Sequence, residues 1–257
     1  MVLHTLKYYI RETKRFLTSP SDYINVRKFI VYMNKSAHSL GMNNSKFDTP
    51  SGASWTSYST PSDLYLLMDS FKNNDLLRSF SETHISVLNK KEIHNHALDE
   101  AQAVFGLPLA TKTGTYGSNN KAVCIGSECI TICVMSNDKA VFDDIFGATK
   151  AIINRSYTPT DSIGYYGFAN GNKYDYNANK RFLPASTTKL LTALCAYAIC
   201  SLDGTVAVKQ IDLASGSGSH YSVGDTFSMS DAVQIMLMES SNTLANAIAR
   251  TCGTMIS

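Results

Sequence analysis

Residues 181–194 read RFLPASTTKLLTAL, and the rest of the sequence can be organised around this stretch. Pro184 and the apolar run after it predict a helix that begins near Ser186. Ser186 and Lys189 are three residues apart, so on a helix they share a face and the lysine amine can reach the serine hydroxyl. A neutral lysine can act as the base that a hydroxyl needs to become a nucleophile, and the helix N-terminus favours developing negative charge.

The Ser-x-x-Lys spacing is weak evidence when it stands alone. It recurs at Ser118/Lys121 and at Ser136/Lys139, where the sequence predicts turns beside strands and no helix to fix the pair. The interpretation of Ser186 as a nucleophile therefore depends on further motifs.

The second motif, Ser240-Ser241-Asn242, lies between two predicted helices. A hydroxyl at Ser240 can relay a proton between the nucleophile, its lysine and a leaving group. The amide of Asn242 can hold a substrate carbonyl or Lys189. The alternative is that these residues only cap a helix, a position that Ser and Asn favour.

The third motif is Lys112-Thr113-Gly114, which occurs once in the chain and lies on a predicted strand. Gly114 lets the backbone approach a substrate, and Lys112 can hold a carboxylate. The N–H groups of Thr115 and Ser186 can together serve as an oxyanion hole. The alternative is an edge strand that carries a solvated lysine.

Together these motifs are the S-x-x-K, S-x-N and K-T-G set of serine acyl-transfer enzymes that react with penicillin. The chain resembles the low-molecular-mass D-alanyl-D-alanine carboxypeptidases, which are penicillin-binding serine peptidases with a β-lactamase/transpeptidase-like fold. The resemblance covers roughly residues 26–255. It is carried by 181–194, by YSVGDTFSMSDAVQIMLMESSNTLANAIA (221–249), by MNKSAHSLGMNNSKFDTPSGASWTSYSTPSDLYLLM (33–68) and by TKTGTYGSNNKAVCIG (111–126).

The resemblance implies a reaction at these residues. Ser186 would be acylated, Lys189 would be its general base, and Ser240 would relay the proton. Asn242 would bind a substrate amide. The implied substrates are D-Ala-D-Ala stem peptides of peptidoglycan, and β-lactams would acylate the same serine.

The resemblance also assigns the strand that carries the K-T-G motif. Lys112 and Thr113 would bind the terminal carboxylate of the substrate beside Gly114, and the N–H groups of Thr115 and Ser186 would form the oxyanion hole. No cofactor and no metal is implied. The family acts outside the cytoplasm, in the cell envelope or as secreted protein.

The order of the motifs departs from the family. There, S-x-x-K and S-x-N precede the LGM stretch and K-T-G, whereas here they follow. The change is a rotation, so we expect a circular permutation in which residues 153–166 (INRSYTPTDSIGYY) join the former termini. This hypothesis predicts that Thr251–Ser257 lies beside Asp22–Arg27.

The element pattern predicts a mixed α/β protein (α+β), with an antiparallel sheet flanked by helices and an all-helical lobe. We expect a single penicillin-recognising domain over residues 1–257. Its helical lobe would come from about 22–75 and 187–257, and its sheet lobe from about 100–185. Residues 1–21 would be an extra N-terminal segment, in which HTLKYYIRETKRFL (4–17) fits an amphipathic helix.

Composition excludes several classes. The net charge of +2 and the lack of a long basic run give no indication of a nucleic-acid partner. No stretch is long and apolar enough for a transmembrane segment, and the first twenty residues show no signal peptide. The six cysteines have no metal-like spacing, and we interpret them as small buried hydrophobic residues.

Two alternatives to a DD-peptidase remain open. One is a β-lactamase-like serine hydrolase, which the K-T-G hairpin resembles equally well. However, Glu82, Glu92 and Glu100 lack the sequence context of the deacylating glutamate of class A β-lactamases. The other is a non-catalytic sensor or binding module with the same fold.

Overall fold

The computed structural model describes residues 19–88 and 91–257. The predicted amphipathic helix at residues 4–17 lies outside the described residues. Within them, the chain is a mixed α/β protein in which helices flank an antiparallel sheet and form a second, largely helical lobe. The predicted fold class is confirmed.

The elements alternate in blocks along the chain. The helices of the described residues are α1 Pro20–Ser39, α2 Pro61–Lys72, α3 Asp75–Ser81, α4 His96–Phe105, α5 Lys139–Asp143, α6 Ile145–Ile153, α7 Thr188–Ile199, α8 Met229–Met238 and α9 Asn242–Gly253. The strands are β1 Ile85–Leu88, β2 Lys91–His94, β3 Ala110–Tyr116, β4 Asn120–Gly126, β5 Ile130–Ser136, β6 Ile163–Ala169, β7 Asn172–Tyr176, β8 Thr205–Ala207 and β9 Thr226–Ser228.

The main sheet has the order β3-β4-β5-β6-β7 and is antiparallel throughout. The Asn170-Gly171 pair, which is typical of two-residue hairpin turns, joins β6 to β7. Both residues have positive φ (50° and 78°), which is the conformation that a two-residue primed turn requires. The K-T-G strand β3 is the first strand in this order, so it lies at an edge of the sheet. It pairs with β4 along one side, and its other side can contact other parts of the chain.

The two faces of this sheet pack into different cores. Cys124 and Cys133 point toward the helical lobe, where they join a cluster that includes Phe29 and Leu191. Val123 and Val134, one position along each strand, point the other way, toward α4 and α6. This alternation follows from the period of two in a strand, and each fully buried side chain of this size contributes about 1.5–3 kcal/mol.

The segment after α9 lies beside α1. An added Cβ at Gly253 would lie 2.0 Å from the carbonyl oxygen of Asn25, so the two helices approach backbone to backbone. The Lys28 Nζ donates a hydrogen bond of 2.7 Å to the carbonyl oxygen of Ile256. Residues 251–257 thus lie next to the stretch at 22–28.

Our interpretation of the cysteines is wrong for three of the six. Cys200, just after α7, and Cys252, in α9, form a disulfide. Cys129 is exposed in the turn between β4 and β5, whereas Cys124, Cys133 and Cys195 are free and buried as expected. Pairing was missed because 52 residues separate the two partners and only the packing of α7 on α9 brings them together.

Removing this disulfide should destabilise the protein. Closing a loop of 52 residues in the unfolded chain corresponds to about 4 kcal/mol in the chain-entropy model. We expect Cys200→Ser to lower the free energy of unfolding by roughly that amount in a urea titration. Cys129→Ser, which removes an exposed free thiol, is the matched control, and equal stability of the two variants would contradict the prediction.

Candidate active site

Ser186 lies in a tight turn at the start of α7. Ala185–Thr187 form one turn of 3-10 helix, and the backbone N–H and hydroxyl of Thr187 both donate to the carbonyl oxygen of Pro184, at 3.2 and 2.6 Å. Ala185 has φ 47°, an uncommon conformation for a residue with a side chain. The turn leaves Ser186 half-buried at the molecular surface, while the residues around it are buried.

Lys189 lies on the first turn of α7, directly behind Ser186. Its Nζ is 2.9 Å from the Ser186 Oγ, 2.8 Å from the Asn242 Oδ1 and 2.8 Å from the carbonyl oxygen of Ser51. The side chain is fully buried. Three oxygen partners therefore fix the amine against the hydroxyl.

The setting of Lys189 favours its neutral form. Burial lowers its pKa well below the ordinary value, and the positive charge of Lys112 lowers it further. An amine that loses its proton readily, 2.9 Å from a hydroxyl, has the geometry of a general base.

Lys112 and Ser240 meet on the other side of the site. The Lys112 Nζ donates to the Ser240 Oγ at 3.0 Å and to the carbonyl oxygen of Thr113 at 2.9 Å. Burial lowers the pKa of Lys112 to about 7. Ser240 has φ 60° and is half-buried between α8 and α9, where its hydroxyl faces the lysine of the K-T-G strand.

Asn242 is the first residue of α9 and is held from both sides. Its Oδ1 accepts from Lys189, and its Nδ2 donates to the carbonyl oxygen of Ser215 at 2.9 Å. Ser241 caps the helix, since its Oγ accepts from the N–H of Leu244. The capping interpretation of this motif is thus correct for Ser241, while Asn242 reaches into the site.

The K-T-G strand packs backbone to backbone against the turn that carries Ser186 (184–187). An added Cβ at Gly114 would lie 2.7 Å from the carbonyl oxygen of Pro184 and 2.9 Å from the Ser186 nitrogen, so only glycine fits. Thr113 is half-buried and Thr115 is exposed on the same strand. The structure therefore brings all three motifs together, and the edge strand with a solvated lysine is excluded because Lys112 is only 2% exposed.

Sequence reasoning gave no role to Ser51 and Gly52. The carbonyl oxygen of Ser51 accepts from Lys189, and an added Cβ at Gly52 (φ 80°) would lie 1.8 Å from the carbonyl oxygen of Ala185. Both residues belong to the TPSG part of the stretch at 33–68. A backbone carbonyl leaves no side-chain signature, so the glycine beside it was the only available signal.

The acidic residues considered as deacylating bases lie elsewhere. Glu92 contacts His94, Glu82 follows α3 beside Arg78, and Glu100 is exposed on α4. Within the described part of the chain, no group of three or more His, Cys, Asp or Glu side chains is arranged to hold a metal ion. Among the helices of residues 19–88 and 91–257, none has the length and apolar character needed to cross a membrane.

Comparison with known proteins identifies one family. Residues 145–256 match the model of the beta-lactamase enzyme family, and this segment contains Ser186, Lys189, Ser240 and Asn242 but not Lys112. No curated protein matches the chain, and no solved structure matches it. Residues 145–256 therefore carry a beta-lactamase family domain, and the mixed α/β architecture around it supports a serine hydrolase of the penicillin-recognising fold.

Proposed function

We propose that this chain is a serine DD-peptidase that cleaves D-Ala-D-Ala peptides of peptidoglycan, and that β-lactams acylate the same serine. The observation that carries the proposal is the 2.9 Å contact between the buried Lys189 amine and the Ser186 hydroxyl. The convergence of Ser240, Asn242 and Lys112 around this pair supports it.

Acylation follows from these contacts. Neutral Lys189 takes the proton of Ser186 as the Oγ attacks the carbonyl carbon of the penultimate D-Ala. The resulting oxyanion accepts hydrogen bonds from the N–H groups of Ser186 and Thr115. The C–N bond then breaks. Ser240 donates its hydroxyl proton to the leaving amine of the terminal D-Ala and receives in exchange the proton that Lys189 took from Ser186, so both side chains return to their starting forms.

Substrate binding uses the remaining residues of the site. In its charged form, Lys112 together with Thr113 holds the terminal carboxylate, and Asn242 holds a substrate amide. Water then hydrolyses the acyl-enzyme. Because Glu82, Glu92 and Glu100 make no contact with Ser186 in the described residues, a penicilloyl-enzyme should hydrolyse slowly, which favours a peptidase over a β-lactamase.

A β-lactamase is the second candidate. It is favoured by the match of residues 145–256 to the beta-lactamase enzyme family and by the K-T-G hairpin at 112–123. The two functions differ in the fate of the acyl-enzyme, since a β-lactamase must release penicilloate quickly.

Parallel assays separate the candidates. The protein is incubated with an acylated D-Ala-D-Ala peptide and, separately, with benzylpenicillin; free D-alanine, remaining drug and intact protein mass are measured. D-alanine release with a long-lived penicilloyl adduct supports the peptidase. Rapid loss of drug without an adduct indicates a β-lactamase, and an absence of any reaction would indicate a binding module.

The rate of acylation should depend on pH through Lys189. Its pKa is lowered by burial and by Lys112, so the neutral base is present at a lower pH than for an ordinary lysine at 10.5. At saturating benzylpenicillin, the rate should rise with pH and level off well below 10.5. Stopped-flow measurement between about pH 5 and pH 10 tests this, and a rate still rising at the upper limit would contradict it.

Gly52→Ala should damage the nucleophile turn. The new Cβ would collide with the carbonyl oxygen of Ala185 at 1.8 Å, in a backbone conformation that already disfavours a side chain. Displacing Ser186 by an ångström should slow acylation about 100-fold. Gly171→Ala is the control, because Gly171 has a similar φ of 78° and open space around it; equal rates in the two variants would count against the prediction.

We also propose that the order of the segments is a circular permutation of the family order. The packing of residues 251–257 beside 22–28 supports this proposal. A chain that joins residue 257 to residue 19 through a short linker and opens between 154 and 162 should then fold and acylate. The opening at 154–162 lies inside the segment that matches the family, residues 145–256. Failure of the rearranged chain to fold would overturn the proposal.

We further propose that the protein acts outside the cytoplasm, in the cell envelope or as a secreted protein. The disulfide Cys200–Cys252 supports this location, because disulfides persist mainly in oxidising compartments. Cell fractionation with thiol labelling tests it. Recovery in the cytoplasm with both thiols reduced would contradict it.

A further inference from the structure

A small cavity lies close to the nucleophile turn, outside the hydrogen-bonded site. Its volume is about 250 Å³, and its walls include Trp55, Tyr58, Asn120, Asn137, Arg181 and Leu183. Arg181 precedes Ser186 by five residues, and five residues of fully extended chain span at most about 18 Å. A peptide bound at Ser186 can therefore reach this cavity within about five of its own residues.

Arg181 gives the cavity a positive charge that no carboxylate of residues 19–88 and 91–257 neutralises. Its side chain is exposed, and none of the described Asp or Glu residues lies within salt-bridge distance of it. The guanidinium carbon lies 4.3 Å from the ring centroid of Tyr58, a stacked arrangement that orients the planar group. Its N–H groups remain available for an anion.

The other walls suit a peptide side chain. The Asn120 Nδ2 donates one bond, to the carbonyl oxygen of Tyr116, and keeps a second N–H. Trp55 is 66% exposed, yet its ring is fixed edge-on against Tyr116 with centroids 4.5 Å apart. An amide donor and an aromatic wall thus accompany the free cation.

We propose that this cavity is a subsite for a second substrate carboxylate, carried by a side chain within about five residues of the scissile bond. Arg181 is then a specificity-determining residue that pairs with this carboxylate. The proposal rests on the proposed peptidase function and names the class of peptide that the site prefers.

The single tryptophan of the chain allows binding at this cavity to be measured directly. The Ser186→Ala variant is titrated with pairs of peptides that end in D-Ala-D-Ala and differ only by Glu or Gln at one of the four positions that precede D-Ala-D-Ala. For one position, the Glu peptide should bind about tenfold more tightly and change the fluorescence of Trp55.

Variants on the same background identify the residue responsible. Adding Arg181→Ala should remove the preference for Glu, and Arg181→Lys should retain part of it because the charge remains. Lys180→Ala removes the same charge one residue away, where the lysine donates to the carbonyl oxygen of Asp161, and should leave the preference intact.

Two results would overturn the subsite: equal binding of Glu and Gln peptides at every position, or a preference that survives Arg181→Ala. The proposed function is tested separately, by measuring whether the protein with Ser186 intact forms a penicilloyl adduct. The absence of an adduct would count against that function. An adduct without charge preference counts against the subsite alone. A charge preference without an adduct supports the subsite and counts against the peptidase.

Discussion

Ser186→Ala should leave the protein folded and abolish its penicilloyl adduct. Among the described hydroxyl groups of the site, that of Ser186 is the one in contact with the Lys189 amine, which is itself fully buried and held by three oxygen atoms. Alanine fits the 3-10 turn without new contacts. Intact mass after incubation with benzylpenicillin should therefore show one added penicilloyl group on the unmodified chain and none on the variant.

Ser118→Ala is the matched control for this experiment. Ser118 shares the Ser-x-x-Lys spacing with Lys121, but it lies exposed in the turn between β3 and β4. Its variant should acylate at the normal rate. An adduct that persists in Ser186→Ala, or that disappears in Ser118→Ala, would show that another residue is the nucleophile.

Lys189→Met should slow acylation by about 10²–10⁴-fold, the range expected for loss of a general base. Methionine fills a similar volume, so the core around α7 stays packed. It leaves Asn242 and the carbonyl oxygen of Ser51 without their donor, which costs about 1–3 kcal/mol for a buried acceptor. The acylation rate and the urea midpoint, measured together, separate loss of chemistry from loss of fold.

Lys121→Met provides the comparison for this variant. Lys121 lies on β4 over the ring of Phe142 and has no contact with Ser186 among the described residues. It should change the rate little. A Lys189→Met protein that acylates as fast as Lys121→Met would exclude Lys189 as the base.

Local patterns predicted much of the fold. The helix after Pro184, the helix at Pro61 and the strands β3 to β7 all follow from apolar periodicity and turn residues, which act over a few positions. The region between residues 72 and 110 carries no clear pattern of this kind, because its elements are short. There the chain forms α3, β1, β2 and α4, which depend on packing for their stability.

The sequence predicted those parts of the site that consist of side chains. The three motifs name Ser186, Lys189, Ser240, Asn242 and Lys112, and the structure brings these side chains together. The sequence could not indicate the carbonyl oxygen of Ser51, because any residue can supply a backbone acceptor. It also could not indicate the positive φ of Ala185, since this strain is imposed by the contacts of the turn.

The hydrogen bond between Lys112 and Ser240 joins two residues that are 128 positions apart in the chain, one before Ser186 and one after it. During synthesis, the strand with Lys112 is made first, Ser186 is made later, and the helix that begins at Asn242 follows both. A chain that has been synthesised only as far as Lys189 therefore lacks Ser240 and Asn242, which are the partners of Lys112 and Lys189 in the site. If Ser186 reacts as proposed, a labelled β-lactam should therefore mark only those chains in which the segment with Ser240 and Asn242 has been made and has folded against β3.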